Sequence, residues 1–220
     1  MLIVLQKVLE AEDVARVRGE LEKAEWREGT ATAGAAARPV KHNLQAANVA
    51  PLAEFVREAL VRHPVFRGAA HMKRMSGPMF SKYEPGMTYG PHVDNAVMGA
   101  GEARVRTDIS FTVFLSEPDA YEGGALTMET LAGPQAIRLK SGDAVLYPSN
   151  SIHHVSEVTR GVRLAAVGWV QSQIRDSAQR EILFDLSIAR ARFADANASR
   201  DNLLLLDKAT SNLLRLWVDI

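Results

Sequence analysis

The chain has 220 residues, 26 basic and 26 acidic side chains, 47% hydrophobic residues and no cysteine. A formal charge of zero leaves no global field for nucleic acid or an anionic membrane surface, and the missing cysteines exclude disulfides, thiolate-held iron–sulfur clusters and thiol catalysis. No apolar run approaches the roughly 18 to 20 residues that span a bilayer, so one main globular core with an appendage is expected.

Met1 to Leu9 is apolar but short, and it runs into the charged segment Glu10 to Asp13. That layout differs from a secretory signal, and the cytoplasm is the expected location. Leu2 to Leu5 reads as a strand. Asp13 is the expected cap of a helix whose Val14, Val17, Leu21 and Ala24 recur at near-helical spacing. Residues 29 to 38 are small, with two glycines, and suggest a strand edge or a mobile loop. Lys41-His42-Asn43 is read as loop, with the rim of a substrate entrance as the alternative. Pro51 opens a second helix, striped by Leu52, Phe55, Val56, Ala59 and Leu60 and ended by His63-Pro64.

From Met79 the texture changes to short runs broken by Gly and Pro. Eight strands are predicted, at 79–83, 89–94, 106–115, 125–129, 136–139, 144–148, 153–158 and 163–171, with turn signals such as Glu122-Gly123-Gly124 between them. This spacing suits a double-sheet jelly roll whose mouth holds a ligand. Gly123-Gly124 is assigned to turn chemistry that needs positive φ. Beyond Gln173 the period returns to helical. Ile182, Leu186, Ala189 and Phe193 form one stripe, and Leu203, Leu206, Thr210, Leu213, Leu214 and Trp217 form another, across the polar connection 195–202. These predict an αα-hairpin that either covers the barrel or makes a subunit contact. The fold class is α+β: a double-stranded β-helix (jelly roll) with N-terminal supporting helices and a C-terminal helical hairpin. The expected divisions are 1–77, 78–172 and 173–220.

His92 and Asp94 stand at i and i+2 on a predicted strand, so they share a face while Val93 points away. A third ligand can come from His153 or His154, which face opposite sides of their strand. Two histidines and one carboxylate with open positions are the arrangement of non-haem Fe(II) oxygenases, whereas a structural zinc site is closed by four protein ligands. Arg163 falls on the strand after the Thr159-Arg160-Gly161 turn. An always-charged bidentate group there suits a carboxylate ligand, and Ala165, Val167 and Trp169 share its face. His42, His63 and His71 lack ligand spacing, and Lys73-Arg74 is too small a cluster to read as nucleic-acid binding.

The ordered set Tyr-x-x-Gly-x-x-Tyr-x-x-His-x-Asp at 83–94, Glu-Gly-Gly-Ala-Leu at 122–126, Ser-Ile-His at 151–153 and Gly-Val-Arg at 161–163 resembles the prolyl-4-hydroxylase-like branch of the 2-oxoglutarate and Fe(II)-dependent dioxygenases. The resemblance covers about residues 78–172, and within the branch the chain is most similar to PKHD-type hydroxylases, which also carry a helical C-terminal extension. It implies that His92, Asp94 and His153 are iron ligands and catalytic, that Arg163 binds the distal carboxylate of 2-oxoglutarate, and that Tyr83 lies near this co-substrate. Ser151-Ile152-His153 matches the family's Ser-Leu-His, which selects His153 over His154. L-ascorbate is implied as a further cofactor. The chain departs from many prolyl hydroxylases in having Arg163 in place of Lys, and Phe114 where some relatives have a co-substrate-binding Tyr. Thr112 or Ser110 is the expected substitute for that contact.

The implied reaction is decarboxylation of 2-oxoglutarate to succinate and CO2, with O2 hydroxylating a small-molecule or peptide substrate. Asp94 favours hydroxylation over halogenation, because halogenating relatives lack the carboxylate. The implied partners are O2 and that substrate, with no nucleic acid and no membrane, and a homodimer through the C-terminal helices. A non-catalytic iron and 2-oxoglutarate sensor is the alternative from another class; a cupin-like isomerase or hydrolase using another metal is a third reading.

Overall fold

Alternation along Ile109–Phe114 decides the architecture. Phe111 and Val113 turn into one buried apolar cluster, Phe114 belongs to a second, and Ser110 and Thr112 face a cavity beside the second. A strand with two buried faces must be covered on both sides. Helices cover one face here and a second sheet covers the other.

The computed structural model describes residues 1–219. Its major sheet runs Ile3–Leu5, Ala144–Pro148, Ile109–Phe114, Arg163–Ser172, Met79–Tyr83, Leu44–Ala47 and Glu25–Glu28, with Met72–Met75 also paired to Arg163–Ser172. The minor sheet runs Gln135–Ile137, Leu126–Met128, His153–Val155, Thr88–His92 and Lys41–His42. All their pairings are antiparallel, as in a jelly roll. Tyr83, Phe114, Val145 and Tyr147 of the major sheet pack against Leu126, Met128 and Val155 of the minor sheet, closing one end of the space between them.

Three helices cover the outer face: α1 (Ala11–Glu22), α2 (Ala50–Arg62) and α3 (Pro64–Ala70). Val14, Val17 and Leu21 of α1, Val56 and Leu60 of α2 and Phe66 of α3 bury against Leu5, Phe80, Phe111 and Leu146. Each such side chain contributes about 1.5 to 3 kcal/mol by leaving water. Two further helices, α4 (Ser177–Asp195) and α5 (Arg200–Trp217), form the expected hairpin. Asp176 Oδ1 caps α4, accepting from the backbone N–H of Ala178 and Gln179 at 2.8 and 2.9 Å.

Several expectations need correction. Glu10, not Asp13, is the N-cap of α1; Asp13 stands at the third helical position, where its carboxylate accepts the Glu10 N–H at 3.3 Å. Residues 29–38 contain no strand: they form two short 3₁₀ turns, Gly29–Thr32 and Arg38–Val40 at its edge, packed over the cavity. The helix α3 starts at Pro64 directly after α2, because the residue before a proline is kept out of the helical region and His63 therefore ends α2. The C-terminal hairpin does not cover the barrel mouth. Leu183 is buried and α4 packs on α3, where Phe184 and Ser187 lie against Gly68. Among the described residues, none beyond Trp169 lines the cavity between the sheets.

Candidate active site

The strand Thr88–His92 pairs with His153–Val155 so that His92 stands opposite His153, and a bulge lets two residues on one strand span three on the other. Bulges re-aim side chains, and this one lies beside the candidate ligands. The strand ends at His92, two residues earlier than predicted, so Asp94 lies just past the ladder. The side chains still converge. Ligand atoms of His92, Asp94 and His153 all lie within 4.8 Å of one another. His92 Nε2 is 4.0 Å from Asp94 Oδ1, and His153 Nε2 is 3.9 Å from Asp94 Oδ2. These separations are too long for hydrogen bonds and leave a gap enclosed by one carboxylate and two imidazoles.

Backbone carbonyls orient both rings. His92 Nδ1 lies 2.8 Å from Gly90 O and His153 Nδ1 lies 3.0 Å from Ser151 O. A carbonyl can only accept, so each Nδ1 carries the proton, and in the neutral ring Nε2 is the atom that presents a lone pair to the gap. Burial, then the neighbouring His153, pushes the His92 imidazole down to about 4, which keeps it neutral at physiological pH. Tyr89 stacks on His92 with centroids 3.6 Å apart, and Tyr147 meets His153 edge-on at 5.0 Å. Ser110 Oγ donates to Asp94 Oδ2 at 2.5 Å and lies 2.8 Å from Ser149 Oγ. His154 faces the other side of its strand, with Nδ1 4.0 Å from Glu129.

Arg163 stands opposite Tyr83 in the major sheet and is only 2% exposed. Its guanidinium lies 5.1 Å from the Tyr83 ring and 5.6 Å from the Phe114 ring. Among the described residues its Nε has no hydrogen-bond partner, and no carboxylate lies within ion-pair distance. A buried cation without an anion costs several kcal/mol, so this side chain is incomplete without a ligand. Burial pushes the hydroxyls of Tyr83 and Tyr147 up, leaving both as protonated donors.

Residues 78–171 match the family model described as the 2OG-Fe(II) oxygenase superfamily. A PKHD-type hydroxylase of Synechococcus elongatus is 46% identical over 221 residues, covering 99% of each chain. The chain belongs to the PKHD-type hydroxylase family. Two solved structures share its fold: a prolyl-4-hydroxylase of Pseudomonas putida (TM-score 0.52, 18% identity, 78% of this chain and 92% of that one) and a prolyl hydroxylase from Trichoplax adhaerens in complex with a hypoxia inducible factor peptide fragment (TM-score 0.59, 13% identity, 78% and 83%). As a PKHD-type hydroxylase, this protein is a 2-oxoglutarate-dependent dioxygenase that uses Fe(II).

The observed side chains fit both groups that the PKHD-type assignment requires. A His/His/carboxylate set with both Nε2 lone pairs facing one gap matches a divalent iron, and the unpaired Arg163 matches a carboxylate. Several residues around this set escaped the sequence reading. Ser110, named from the sequence only with Thr112 as a substitute co-substrate contact, also donates to Asp94, and Thr112 adjoins the Tyr147 hydroxyl. Tyr147 had no signal beyond its inward position on an apolar strand. Lys41, Asn43 and Gln45 also line the cavity, so the Lys41-His42-Asn43 segment is more than loop.

Proposed function

We propose that His92, Asp94 and His153 hold Fe(II), and that Arg163 holds the distal carboxylate of 2-oxoglutarate with Tyr83 beside it. The observation that carries this reading is the buried, unpaired Arg163 guanidinium in the same cavity as an open-sided set of three metal-type donors. When bound, iron and 2-oxoglutarate supply the oxidation: O2 is consumed, the keto acid is converted to succinate and CO2, and one oxygen atom reaches a C–H bond of the substrate.

The chain's own residues do the positioning. Gly90 and Ser151 carbonyls fix the two imidazoles as Nε2 ligands, and Ser110 fixes the carboxylate rotamer of Asp94. Three protein donors leave positions for an α-keto acid and O2, which a fourth would block. Arg163 supplies a fixed fork for one carboxylate, and Tyr147 a protonated hydroxyl in the same cavity. Phe114, Leu126 and Val155 keep water from the co-substrate end.

The substrate is a small molecule or a peptide, and L-ascorbate is included as auxiliary reductant on the family resemblance alone. A homodimer through α5 belongs to the same reading, supported by the exposed Leu204, Leu205 and Leu216, and sedimentation tests it. No helix among the described residues is long and apolar enough to cross a membrane.

The test is anaerobic titration of the Fe(II)-loaded protein with 2-oxoglutarate, read by the visible absorption of the chelated keto acid, followed by O2 and succinate measurement. Binding and succinate formation are expected. Failure to bind 2-oxoglutarate, or turnover undiminished with zinc in place of iron, overturns the reading.

A further inference from the structure

The segment Lys41 to Gln45 is extended and places alternate residues on opposite sides. Lys41, Asn43 and Gln45 are 5%, 5% and 8% exposed and all line the cavity, while His42 is exposed. Three successive inward positions are therefore polar. The helix-covered face of the major sheet is apolar, whereas the cavity face is polar, and the cost of burying unpaired polar groups is about 1 to 3 kcal/mol each. Such a wall stands where something polar completes it.

Their existing partners leave capacity unused. The Lys41 ammonium has three N–H donors; one goes to Thr32 Oγ1 at 2.9 Å, and the Tyr89 ring lies 5.1 Å from Nζ. No carboxylate lies within ion-pair distance of it among the described residues. Thr32 Oγ1 lies 2.6 Å from Gln45 Oε1, and the Gln45 amide nitrogen has only Met79 Sδ at 4.0 Å. Both amide atoms of Asn43 are buried with no well-formed hydrogen bond, and the Tyr83 hydroxyl is close enough to interact with its side chain. The 29–38 loop is pinned here, since a side chain at Gly29 would collide with Asn43 Oδ1 and one at Gly34 with the Asn95 amide.

Charge bookkeeping narrows the ligand. The cavity lining holds two permanent or near-permanent cations, Lys41 and Arg163, against one carboxylate, Asp94. A divalent iron adds two positive charges and doubly charged 2-oxoglutarate removes two, leaving the loaded site with one positive charge. Arg163 lies across from Tyr83 in the middle of the major sheet, whereas Lys41 lies on the edge strand of the minor sheet, opposite Tyr89. The two cations thus approach the cavity from different sheets. A single ammonium flanked by two neutral carboxamides matches a monoanion that also accepts and donates hydrogen bonds.

We infer that Lys41, with Asn43 and Gln45 beside it, anchors a carboxylate of the substrate, so that this hydroxylase acts on a carboxylate-bearing molecule such as an amino acid derivative or a peptide end. The inference rests on reading the cavity as the hydroxylase site. Lys41 sets specificity and takes no part in holding the metal or the co-substrate.

The test uses full-length protein loaded anaerobically with Fe(II) and 2-oxoglutarate, titrated with N-acetyl amino acids and, separately, with the matching N-acetyl amino acid amides. Binding is read from the visible absorption of the chelated keto acid and from the rate at which acetic anhydride labels Lys41, by mass spectrometry. Acids are expected to bind at least about tenfold more tightly than their amides and to protect Lys41. In Lys41→Met the discrimination is expected to vanish while 2-oxoglutarate affinity stays within about threefold; Lys41→Arg retains most of it. Retained 2-oxoglutarate binding shows that a variant is folded. Acids and amides that bind the wild type alike or not at all, or a preference that survives Lys41→Met, overturn the inference. So does a fall in 2-oxoglutarate affinity of about tenfold or more in Lys41→Met, which would assign Lys41 to the co-substrate. Wild type that does not bind 2-oxoglutarate at all fails earlier and overturns the hydroxylase reading itself.

Discussion

Replacing Arg163 with Met separates a binding cation from a structural one, because the two roles predict opposite signs for stability. Arg163 is 2% exposed with Nε unpaired and no carboxylate partner among the described residues, so the ligand-free protein bears its desolvation uncompensated. Met fills similar volume without charge, and replacing buried ionic groups by packed apolar ones is neutral or stabilising by about 1 to 4 kcal/mol. Affinity moves the other way. Two charge-assisted hydrogen bonds to a carboxylate, each worth about 1.5 to 3 kcal/mol, are lost, so 2-oxoglutarate affinity falls by about two to four orders of magnitude. Urea denaturation of the metal-free protein reads the first quantity and anaerobic titration with Fe(II) reads the second. Arg163→Lys keeps the charge but loses the fork, and should fall between. If Arg163→Met instead destabilises the metal-free protein by several kcal/mol and the folded fraction still binds 2-oxoglutarate normally, Arg163 is a packing residue.

Ser110→Ala removes the 2.5 Å hydrogen bond to Asp94 Oδ2, and Fe(II) affinity should drop by about ten- to a hundredfold in anaerobic competition titrations, with little change in fold. Burial pushes the Lys41 ammonium down from 10.5 to about 8. Between those values the unfolded chain binds more protons than the folded one, so this group's contribution to stability rises with pH across that window. Lys41→Met should therefore be more stable than wild type at pH 7, by up to about 3 kcal/mol, with the gap closing by about pH 10.5 in urea melts. Gly124→Ala places a Cβ at φ +59 against Val158, Arg163 and Tyr121, at 2.8 to 3.1 Å. It should cost about 1 to 3 kcal/mol in stability and weaken 2-oxoglutarate binding through the displaced Arg163 side chain.

Much of the jelly roll was legible because Gly and Pro punctuate it: Gly123, Gly124, Gly133, Gly142 and Gly161 all have positive φ at strand ends. The candidate metal set was legible because two ligands fall at i and i+2 and the third sits in a short recognisable run. The strands Glu25–Glu28 and Leu44–Ala47 were not. Glu25-Trp26-Arg27-Glu28 is an exposed sheet edge with one apolar residue, and its partner lies far along the chain, so neither alternation nor a turn marks it. The 29–38 loop looked mobile for the opposite reason: its residues are small because Asn43 and Asn95 pack against the Gly29 and Gly34 backbones, which composition cannot distinguish from flexibility. Polar side chains at Lys41, Asn43 and Gln45 concealed an inward face, since the usual inference runs from apolar to inside.

The two faces of the major sheet divide stability from function. Its outer face, through Phe80, Phe111, Val113, Leu146 and Ala166, is apolar and closed by helices. Its inner face carries Ser110, Thr112, Tyr147 and Arg163 over the cavity. The cavity-lining part of the inner face thus withholds stabilisation until ligands arrive, and the outer face, with the cluster of Phe114, Val145, Leu126 and Met128 between the sheets, must supply it. Ligand binding to the folded state alone stabilises by RT ln(1 + [L]/Kd), about 2.7 kcal/mol at a hundredfold excess over Kd. Iron and 2-oxoglutarate should therefore raise the unfolding temperature together and more than either alone. On the proposed assignment, with Arg163 holding the carboxylate and Asp94 and its two histidines the cation, the increments should exceed additivity only when one ligand touches both. Strict additivity would place 2-oxoglutarate on Arg163 without contact to the metal, and would count against one shared site for the two groups.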